Sequence, residues 1–205
     1  MKIKVCGLKD PDNIRAVSRL PIEMMGFIFY PKSLRYAGLL HPEALSVIPL
    51  SIMKVGVFVN EPEASVVAIM EKYRLQAVQL HGDESPSLCR QLKKRGYVVI
   101  KSFNVATAED FIRTNGYEDA CDYFLFDAKT PLYGGSGKQY DWHILHDYHG
   151  KIPFFLSGGI GSDDFARLKS FDHPGLYAID LNSRFETAPG IKDIELLNSF
   201  NQKIK

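Results

Sequence analysis

Two residues that could exchange a proton with a substrate stand at the ends of short apolar runs. Cys6 ends the run IKVC, and Asp127 ends the run YFLFD. The thiolate is the reactive form of cysteine, and a positive neighbour such as Lys4 would lower the pKa of the thiol. A carboxyl group beside apolar side chains has a raised pKa unless it is paired, which suits a general acid. Each has a structural alternative: Cys6 as a small buried hydrophobic residue, and Asp127 as a loop cap or the partner of Lys129.

Two loops late in the chain have the composition of an anion site. Gly158 and Gly159 follow the run PFFLS and precede a helix start, and Asn182 and Ser183 follow the run LYAID. Consecutive glycines let backbone N–H groups approach an anion, and a helix N-terminus favours negative charge. Either loop alone is equally a tight turn without a ligand. Together they favour a phosphate site.

Three further polar residues are candidates for binding a substrate. Arg35, in the segment YPKSLRY, could form a bidentate pair with a substrate carboxylate, although a solvated surface arginine is the commoner case. Gln79 and His81, in the segment VQLHG, could line a pocket. A lone histidine is more often structural, and the sequence around it shows no metal-ligand spacing.

A glycine-rich segment at residues 130–138, TPLYGGSGK, resembles a phosphate loop without matching one. It lacks the glycine and serine or threonine positions of the Walker A motif, and it does not fit GxGxxG. Its glycines favour the interpretation of a mobile lid over an active site.

Eight apolar runs must position these residues. Short, nearly continuous apolar runs are typical of strands that are buried on both faces. Segments with helix-start signals separate many of them, at Asp10, Glu61, Asp83, Ser162 and Asp193, and Gly96 has the position of a helix C-cap. The runs are IKVC (3–6), MGFIFY (25–30), KVGVFV (54–59), AVQL (77–80), VVIKSF (98–103), YFLFD (123–127), PFFLS (153–157) and LYAID (176–180).

Alternation of strands and helices predicts a parallel sheet, either a closed barrel or an open doubly wound sheet. An open sheet has two edge strands that tend to be polar, and none of the eight runs is clearly polar. We therefore expect a single (β/α)₈ TIM barrel in one domain spanning residues 1–205. In such barrels the active site lies in the loops that follow the strands, where the candidate residues stand.

Composition narrows the classes of function. The net charge of the 205 residues is +1, which gives no general attraction to nucleic acid or membranes. Three cysteines without paired spacing fit a reducing compartment, with Cys89 and Cys121 as buried structural residues. No apolar run approaches the roughly 18 residues of a membrane span, and the N-terminal residues contain no apolar stretch long enough for a signal peptide, so we expect neither. We therefore expect a cytoplasmic protein. We also expect a monomer, because no long apolar surface stripe is evident.

Taken as an ordered set, these residues resemble the phosphoribosylanthranilate isomerase family of tryptophan biosynthesis. Single pieces such as VQLHG are short, but their order over nearly the whole chain is highly specific. The matching segments are residues 4–8, 26–33, 35, 55–60, 78–82, 127, 134–137, 157–160 and 189–193.

The resemblance implies an Amadori rearrangement of N-(5-phosphoribosyl)anthranilate, a phosphosugar, to 1-(o-carboxyphenylamino)-1-deoxyribulose 5-phosphate. It implies that Asp127 is the general acid, that Cys6 as thiolate is the general base, and that Arg35 holds the anthranilate carboxylate. The phosphate would lie at the glycine pair and at the loop after the last strand. No cofactor or metal is implied, because the substrate nitrogen serves as the electron sink.

One segment departs from the family pattern, which commonly shows two serines and a glycine after the eighth strand. Here Asn182, Ser183 and Arg184 stand in those places. Arginine adopts positive φ less readily than glycine, so we expect the loop to differ in shape.

Two other functions would fit a phosphate-binding barrel. The related isomerase of histidine biosynthesis resembles this family but uses an aspartate base after the first strand, where this chain has Cys6. A barrel that only binds a phosphorylated ligand would need neither Cys6 nor Asp127.

Overall fold

Eight parallel strands close into a barrel in the computed structural model, which describes residues 1–128 and 141–204. Neighbours in the barrel follow chain order, and the last strand pairs with the first. The predicted barrel is confirmed, and every predicted run overlaps one strand, with ends that differ by up to two residues. The strands are β1 Lys2–Val5, β2 Met24–Ile28, β3 Met53–Phe58, β4 Ala77–Leu80, β5 Val98–Val105, β6 Tyr123–Ala128, β7 Phe154–Leu156 and β8 Leu176–Leu181.

Side chains alternate between the two faces of each strand, and this alternation explains how the same strands form an apolar core and a polar site at their carboxyl ends. A layer of buried apolar side chains fills the barrel: Met24, Val55, Ala77, Ile100, Leu125, Phe155 and Ala178. A residue two positions further along a strand faces the same side. Leu125 is therefore followed on the inner face by Asp127, Ala77 by Gln79, and Ala178 by Asp180. The same strands supply both the packed core and the polar residues at their carboxyl ends.

In the part of the chain that the structure describes, five α-helices lie between or after the strands: α1 Pro11–Val17, α2 Glu63–Lys72, α3 Pro86–Lys94, α4 Phe165–Ser170 and α5 Ile194–Ile204. Asp10 caps α1 by accepting the Asn13 N–H at 2.8 Å, as its sequence signal predicts. Gly96, at φ 89°, closes the turn after α3.

Some crossovers contain a 3₁₀ turn in place of an α-helix. Between strands, 3₁₀ turns occupy Pro42–Leu45, Ala108–Thr114 and Trp142–Asp147. The helix predicted to open at Ser162 begins with a 3₁₀ turn, Ser162–Asp164, before α4. A chain of 205 residues is at the short end of the usual range for such barrels, so the connections between its strands are short.

A small antiparallel hairpin after β8 is not predicted by the strand pattern. Its strands are β9 Glu186–Ala188 and β10 Ile191–Lys192, joined through Gly190 at φ 87°. Asn13 of α1 binds β10 as a neighbouring strand would: its Oδ1 accepts the Lys192 N–H at 2.8 Å and its Nδ2 donates to the Lys192 carbonyl at 2.9 Å. The loop after β8 is thereby fixed to the first helix.

The segment 130–138, interpreted as a lid, lies outside the described residues. Across residues 1–128 and 141–204, none of the helices has the length and apolar character needed to cross a membrane.

Candidate active site

A cavity of about 770 Å³, counting the space at its mouth, opens at the carboxyl ends of the strands. All nine candidate residues line it: Cys6, Arg35, Gln79, His81, Asp127, Gly158, Gly159, Asn182 and Ser183. Within the described part of the chain, no three His, Cys, Asp or Glu side chains are grouped as a metal site.

Asp127 lies at the end of β6 with its side chain 13% exposed. Burial raises the pKa of its carboxyl to about 6, although the Ala128 N–H and the Ser157 hydroxyl both stabilise the charged form. The Ala128 N–H donates to Oδ1 at 2.9 Å. At neutral pH a minor but usable fraction of Asp127 is therefore protonated, which agrees with the raised pKa expected from its apolar strand.

Cys6 follows β1 and is buried against Gly26, where an added methyl group would lie 2.7 Å from its Sγ. Burial raises the pKa of the thiol, and the nearby Lys4 ammonium only partly opposes this. Lys4 is itself buried and paired with Asp180 at 2.9 Å. Lys4 acts in the expected direction and lowers the pKa of Cys6, but burial outweighs this attraction, so the thiol is neutral near pH 7.

His81 and Gln79 form a buried polar pair beside Asp127. Gln79 Nε2 lies 3.2 Å from His81 Nδ1, so the amide donates to the ring and the ring proton is assigned to Nε2. Burial, with Lys101 and Lys4 nearby, lowers the pKa of His81 to about 3, so the ring is neutral. His81 Nε2 lies 3.7 Å from Asp127 Oδ2, beyond hydrogen-bond range.

Two buried polar atoms of this pair have no hydrogen-bond partner among residues 1–128 and 141–204. They are Gln79 Oε1 and His81 Nε2, one an acceptor and the other a donor. Buried polar atoms are normally satisfied by protein, water or ligand. Since both residues line the cavity, these atoms are available to hydrogen-bond a bound molecule.

Arg35 is held by a residue that sequence reasoning missed. Its Nε donates to Glu186 Oε1 at 2.9 Å, and its Nη2 donates to Oε2 at 2.7 Å. The Arg35 side chain is 13% exposed, so it is not the solvated surface arginine of the alternative interpretation. The sequence gives no signal for this pair, because Glu186 belongs to the unpredicted hairpin.

The glycine pair after β7 has a backbone that other residues rarely adopt. Gly158 has φ 97° and Gly159 has φ 66°. An added methyl group on Gly158 would lie 2.8 Å from the Ala128 nitrogen and 3.1 Å from Asp127 Oδ1. Gly158 therefore lets the loop pass directly against the carboxyl group. The turn that follows is capped internally, since Asp164 Oδ2 accepts the Gly161 N–H at 2.7 Å.

We expect Gly158→Ala to lose most activity and about 1–3 kcal/mol of unfolding free energy, because it adds both strain and a clash. Gly96→Ala is the matched control, since Gly96 has a similar φ of 89° but no atom within 4 Å of an added methyl group. Thermal melts and turnover measure the two effects. Equal losses of turnover in both variants would contradict a specific role for the close approach at Gly158.

The loop after β8 accommodates its departure from the family pattern. Ser183–Phe185 forms a 3₁₀ turn, and Arg184 is not among the described non-glycine residues with positive φ. Its position therefore does not require a glycine. Asn182 Oδ1 accepts a hydrogen bond from Lys192 Nζ at 2.8 Å, which leaves the Asn182 amide nitrogen as the donor for a ligand.

Comparison with known sequences agrees with this architecture. The family model of N-(5′-phosphoribosyl)anthranilate (PRA) isomerase matches residues 3–203. An N-(5′-phosphoribosyl)anthranilate isomerase of Parabacteroides distasonis is 50% identical, over 100% of this chain and 93% of the relative. One from Phocaeicola vulgatus is 45% identical, over 100% and 98% of the two chains.

Solved structures give the same result. Phosphoribosyl anthranilate isomerase from Thermotoga maritima superposes with a TM-score of 0.82 at 32% identity, covering 100% of this chain and 98% of that one. A phosphoribosyl anthranilate isomerase in complex with reduced 1-(o-carboxyphenylamino)-1-deoxyribulose 5-phosphate has a TM-score of 0.78 at 28% identity, with the same coverage. The family match and these relatives span essentially the whole barrel and its cavity. The chain therefore belongs to the N-(5′-phosphoribosyl)anthranilate isomerase family.

Proposed function

We propose that the chain converts N-(5-phosphoribosyl)anthranilate to 1-(o-carboxyphenylamino)-1-deoxyribulose 5-phosphate, an aldose–ketose isomerisation by Amadori rearrangement. The observation that carries the proposal is the shared cavity of Asp127, whose pKa is raised to about 6, and the Cys6 thiol. An arginine and a glycine loop line the same cavity. These groups match a substrate with an acid-labile ring, an acidic C–H, a carboxylate and a phosphate.

Asp127 acts first, as the general acid. It donates its proton to the ribose ring oxygen while the C1′–O bond breaks, and the nitrogen lone pair forms the C1′=N bond of a protonated Schiff base. A pKa of about 6 keeps enough of the acid form near neutral pH while leaving it acidic enough to donate. The neutral His81 ring, with a proton on Nε2, lies on the same side of the cavity and can donate a hydrogen bond to a sugar oxygen.

Cys6 acts second, as the general base. Its thiolate removes the C2′ proton, the C–H electrons form a C1′=C2′ bond, and the C=N electrons return to nitrogen. The resulting enolamine tautomerises to the ketone, so no external oxidant or reductant enters the reaction. Lys4, buried beside Cys6 and anchored by Asp180 at 2.9 Å, supplies the positive charge that favours the thiolate when it forms.

The non-reacting ends of the substrate fix its orientation. We place the phosphate at Gly158, Gly159 and Ser183, with the Asn182 amide as a further donor, and the anthranilate carboxylate at Arg35. Gln79, on β4, lines the cavity and offers a sugar hydroxyl its Oε1, which has no hydrogen-bond partner among the described residues. Binding energy from these ends positions C1′ and C2′ against the acid and the base.

Product identification tests the proposed function. Purified protein is mixed with phosphoribosylanthranilate labelled with ¹³C at C2′ and followed by NMR. We expect the C2′ signal to move from an alcohol to a ketone carbon at a rate that scales with protein concentration. Persistence of the alcohol signal beyond the uncatalysed rate would contradict the proposal.

Removing the arginine tests the carboxylate contact. We expect Arg35→Ala to raise the KM for phosphoribosylanthranilate about 10- to 100-fold, the usual range for a lost charge-assisted hydrogen bond, with a smaller effect on kcat. Arg15→Ala, an exposed arginine of α1, is the control and should leave both constants unchanged. Unaltered kinetics in Arg35→Ala would remove this residue from the site.

The pKa directions predict a bell-shaped dependence of kcat/KM on pH. We expect an acidic limb near pH 6 from Asp127 and a basic limb above the ordinary range of a thiol from Cys6. Because protonated Asp127 must coexist with ionised Cys6, only a minor fraction of the enzyme is in the active protonation state. The residual activity of Asp127→Asn should lose the limb near pH 6. If that limb stays in place, a different group titrates there.

We also propose that the chain acts in the cytoplasm as a monomer. All three cysteines are free, which suits a reducing compartment. One solved structure shows monomers generated from a dimeric phosphoribosylanthranilate isomerase of Thermotoga maritima. Light scattering of the purified protein at micromolar concentration tests the proposal, with the monomer mass of 23.1 kDa expected. A mass near twice that value would point to the exposed Leu39 and Leu50 as the place to look for an interface.

A further inference from the structure

The ion pair between Arg35 and Glu186 has no role in the chemistry described above, yet it connects directly to the cavity wall. We propose that Glu186 is a positioning residue, which holds one edge of the Arg35 guanidinium so that the other edge meets the aromatic carboxylate of the substrate. This inference rests on the proposed function and adds a residue to it.

Glu186 is fixed independently of Arg35. Its side chain is 4% exposed, and Oε1 accepts hydrogen bonds from Lys192 Nζ at 2.7 Å and from the Gly190 N–H at 3.1 Å. Lys192 is in turn held through its backbone by both polar atoms of the Asn13 side chain. The carboxylate is therefore a rigid part of the hairpin before Arg35 is considered.

The Glu186 contacts use only one edge of the guanidinium. Nε and Nη2 donate to the carboxylate, while Nη1 has no hydrogen-bond partner within residues 1–128 and 141–204. A guanidinium has a second fork, Nη1 with Nη2, that matches a carboxylate. Since Arg35 lines the cavity, this second fork can bind a ligand without breaking the Glu186 pair.

The stem of Arg35 is restrained as well. Gly7, at φ 82°, passes so close that an added methyl group would lie 2.7 Å from Arg35 Cδ and 2.6 Å from Asn182 Oδ1. The aliphatic part of Arg35 thus packs on a backbone that has no side chain. A long side chain that is restrained at its stem and at one edge loses little entropy when it binds a ligand.

The charges of the network leave a positive site. Arg35 and Lys192 carry two positive charges against the single negative charge of Glu186. Burial opposes ionisation of Glu186, but hydrogen bonds from Arg35 and the Lys192 ammonium outweigh it and lower the pKa of the carboxyl. The charge of Glu186 therefore weakens the attraction for an anionic ligand, whereas its hydrogen bonds orient Arg35 toward that ligand. Removing the carboxylate would lower the KM through the first effect and raise it through the second.

The charge effect and the positioning effect of Glu186 are separated by measuring Glu186→Gln with two substrates. One is phosphoribosylanthranilate, and the other is phosphoribosylaniline, which lacks the carboxylate. We expect kcat/KM to fall about 10- to 100-fold for the first, mainly through KM, and less than about 3-fold for the second. In an Arg35→Ala background, Glu186→Gln should add no further loss. Glu63→Gln, which breaks an exposed arginine pair of 3.0 Å far from the cavity, is the matched control.

Each other outcome overturns the proposal in a recognisable way. A lower KM for phosphoribosylanthranilate would show that the charge of Glu186 matters more than its positioning. Equal losses of kcat/KM with both substrates would show that Glu186 has a structural role only. If Glu186→Gln lowers the melting temperature, Glu186→Asp, which keeps the charge, serves as the second variant for this comparison. A wild-type protein that turns over neither substrate would overturn the proposed function, and this inference with it.

Discussion

Asp127→Asn is expected to lower kcat with phosphoribosylanthranilate by about 10²- to 10⁴-fold, the range associated with loss of a general acid. Asparagine keeps the shape of the side chain and can still accept the Ala128 N–H at Oδ1. It cannot donate a proton to the ring oxygen, so the ring-opening step loses its acid while phosphate and carboxylate binding persist. Steady-state kinetics at pH 7 measure the effect, and KM should change little.

The same substitution should stabilise the fold at neutral pH. Burial raises the pKa of Asp127 from the ordinary value of 3.8 to about 6, so the folded state binds the proton more tightly than the unfolded state. Its contribution to stability is therefore greatest below the ordinary pKa and is lost as the pH rises through about 6. Above that pH the buried charge costs up to about 3 kcal/mol, which Asp127→Asn removes.

Asp147→Asn is the control for both effects, because Asp147 is exposed and lies outside the cavity. It should change neither kcat nor the melting temperature at pH 7. An Asp127→Asn variant with near wild-type turnover would show that another group opens the ring. A melting temperature that falls at pH 7 and rises at pH 4, relative to wild type, would contradict the raised pKa of Asp127.

Cys6→Ala is expected to reduce turnover by about 10²- to 10⁴-fold, because the C2′ proton then has no base to accept it. The Lys4–Asp180 pair beneath the cavity remains in place at 2.9 Å, so the charge around the site is retained. Cys6→Ser should also be slow, since a hydroxyl is a much weaker acid than a thiol and forms little alkoxide. Rapid-mixing kinetics should show ring opening without formation of the ketone.

Cys89→Ala is the matched control for Cys6→Ala. Cys89 is fully buried on α3 and does not line the cavity, so the substitution removes the same sulfur atom from a packed environment. Both variants should lose a similar amount of stability, and only Cys6→Ala should lose activity. Near wild-type turnover in Cys6→Ala would remove the thiolate from the mechanism.

The sequence predicts the barrel well because its strands are buried on both faces. Eight continuous apolar runs such as YFLFD that alternate with helix signals indicate a parallel sheet with strands buried on both faces. The position of a residue at the end of such a run also places it at the mouth of the barrel. For this reason Cys6, Asp127, Gln79 and the glycine pair were all expected in one cavity, and the structure brings them together.

Features that depend on contacts between distant segments were not predictable in the same way. Glu186 lies 151 positions from Arg35, and no local pattern marks the pair. The hairpin that carries Glu186 is too short for a period-two signal. The raised pKa of Cys6 likewise depends on the balance between burial and the Lys4 charge, which spacing along one strand does not reveal.

The most direct test of the central claim follows the fluorescence of phosphoribosylanthranilate after addition of the purified protein. We predict that fluorescence decays at a rate proportional to enzyme concentration. We also predict that Asp127→Asn and Cys6→Ala each reduce this rate by orders of magnitude while circular dichroism shows an intact fold. Decay no faster than the uncatalysed background in the wild-type protein, or full rates in both variants, would contradict the proposed isomerase mechanism.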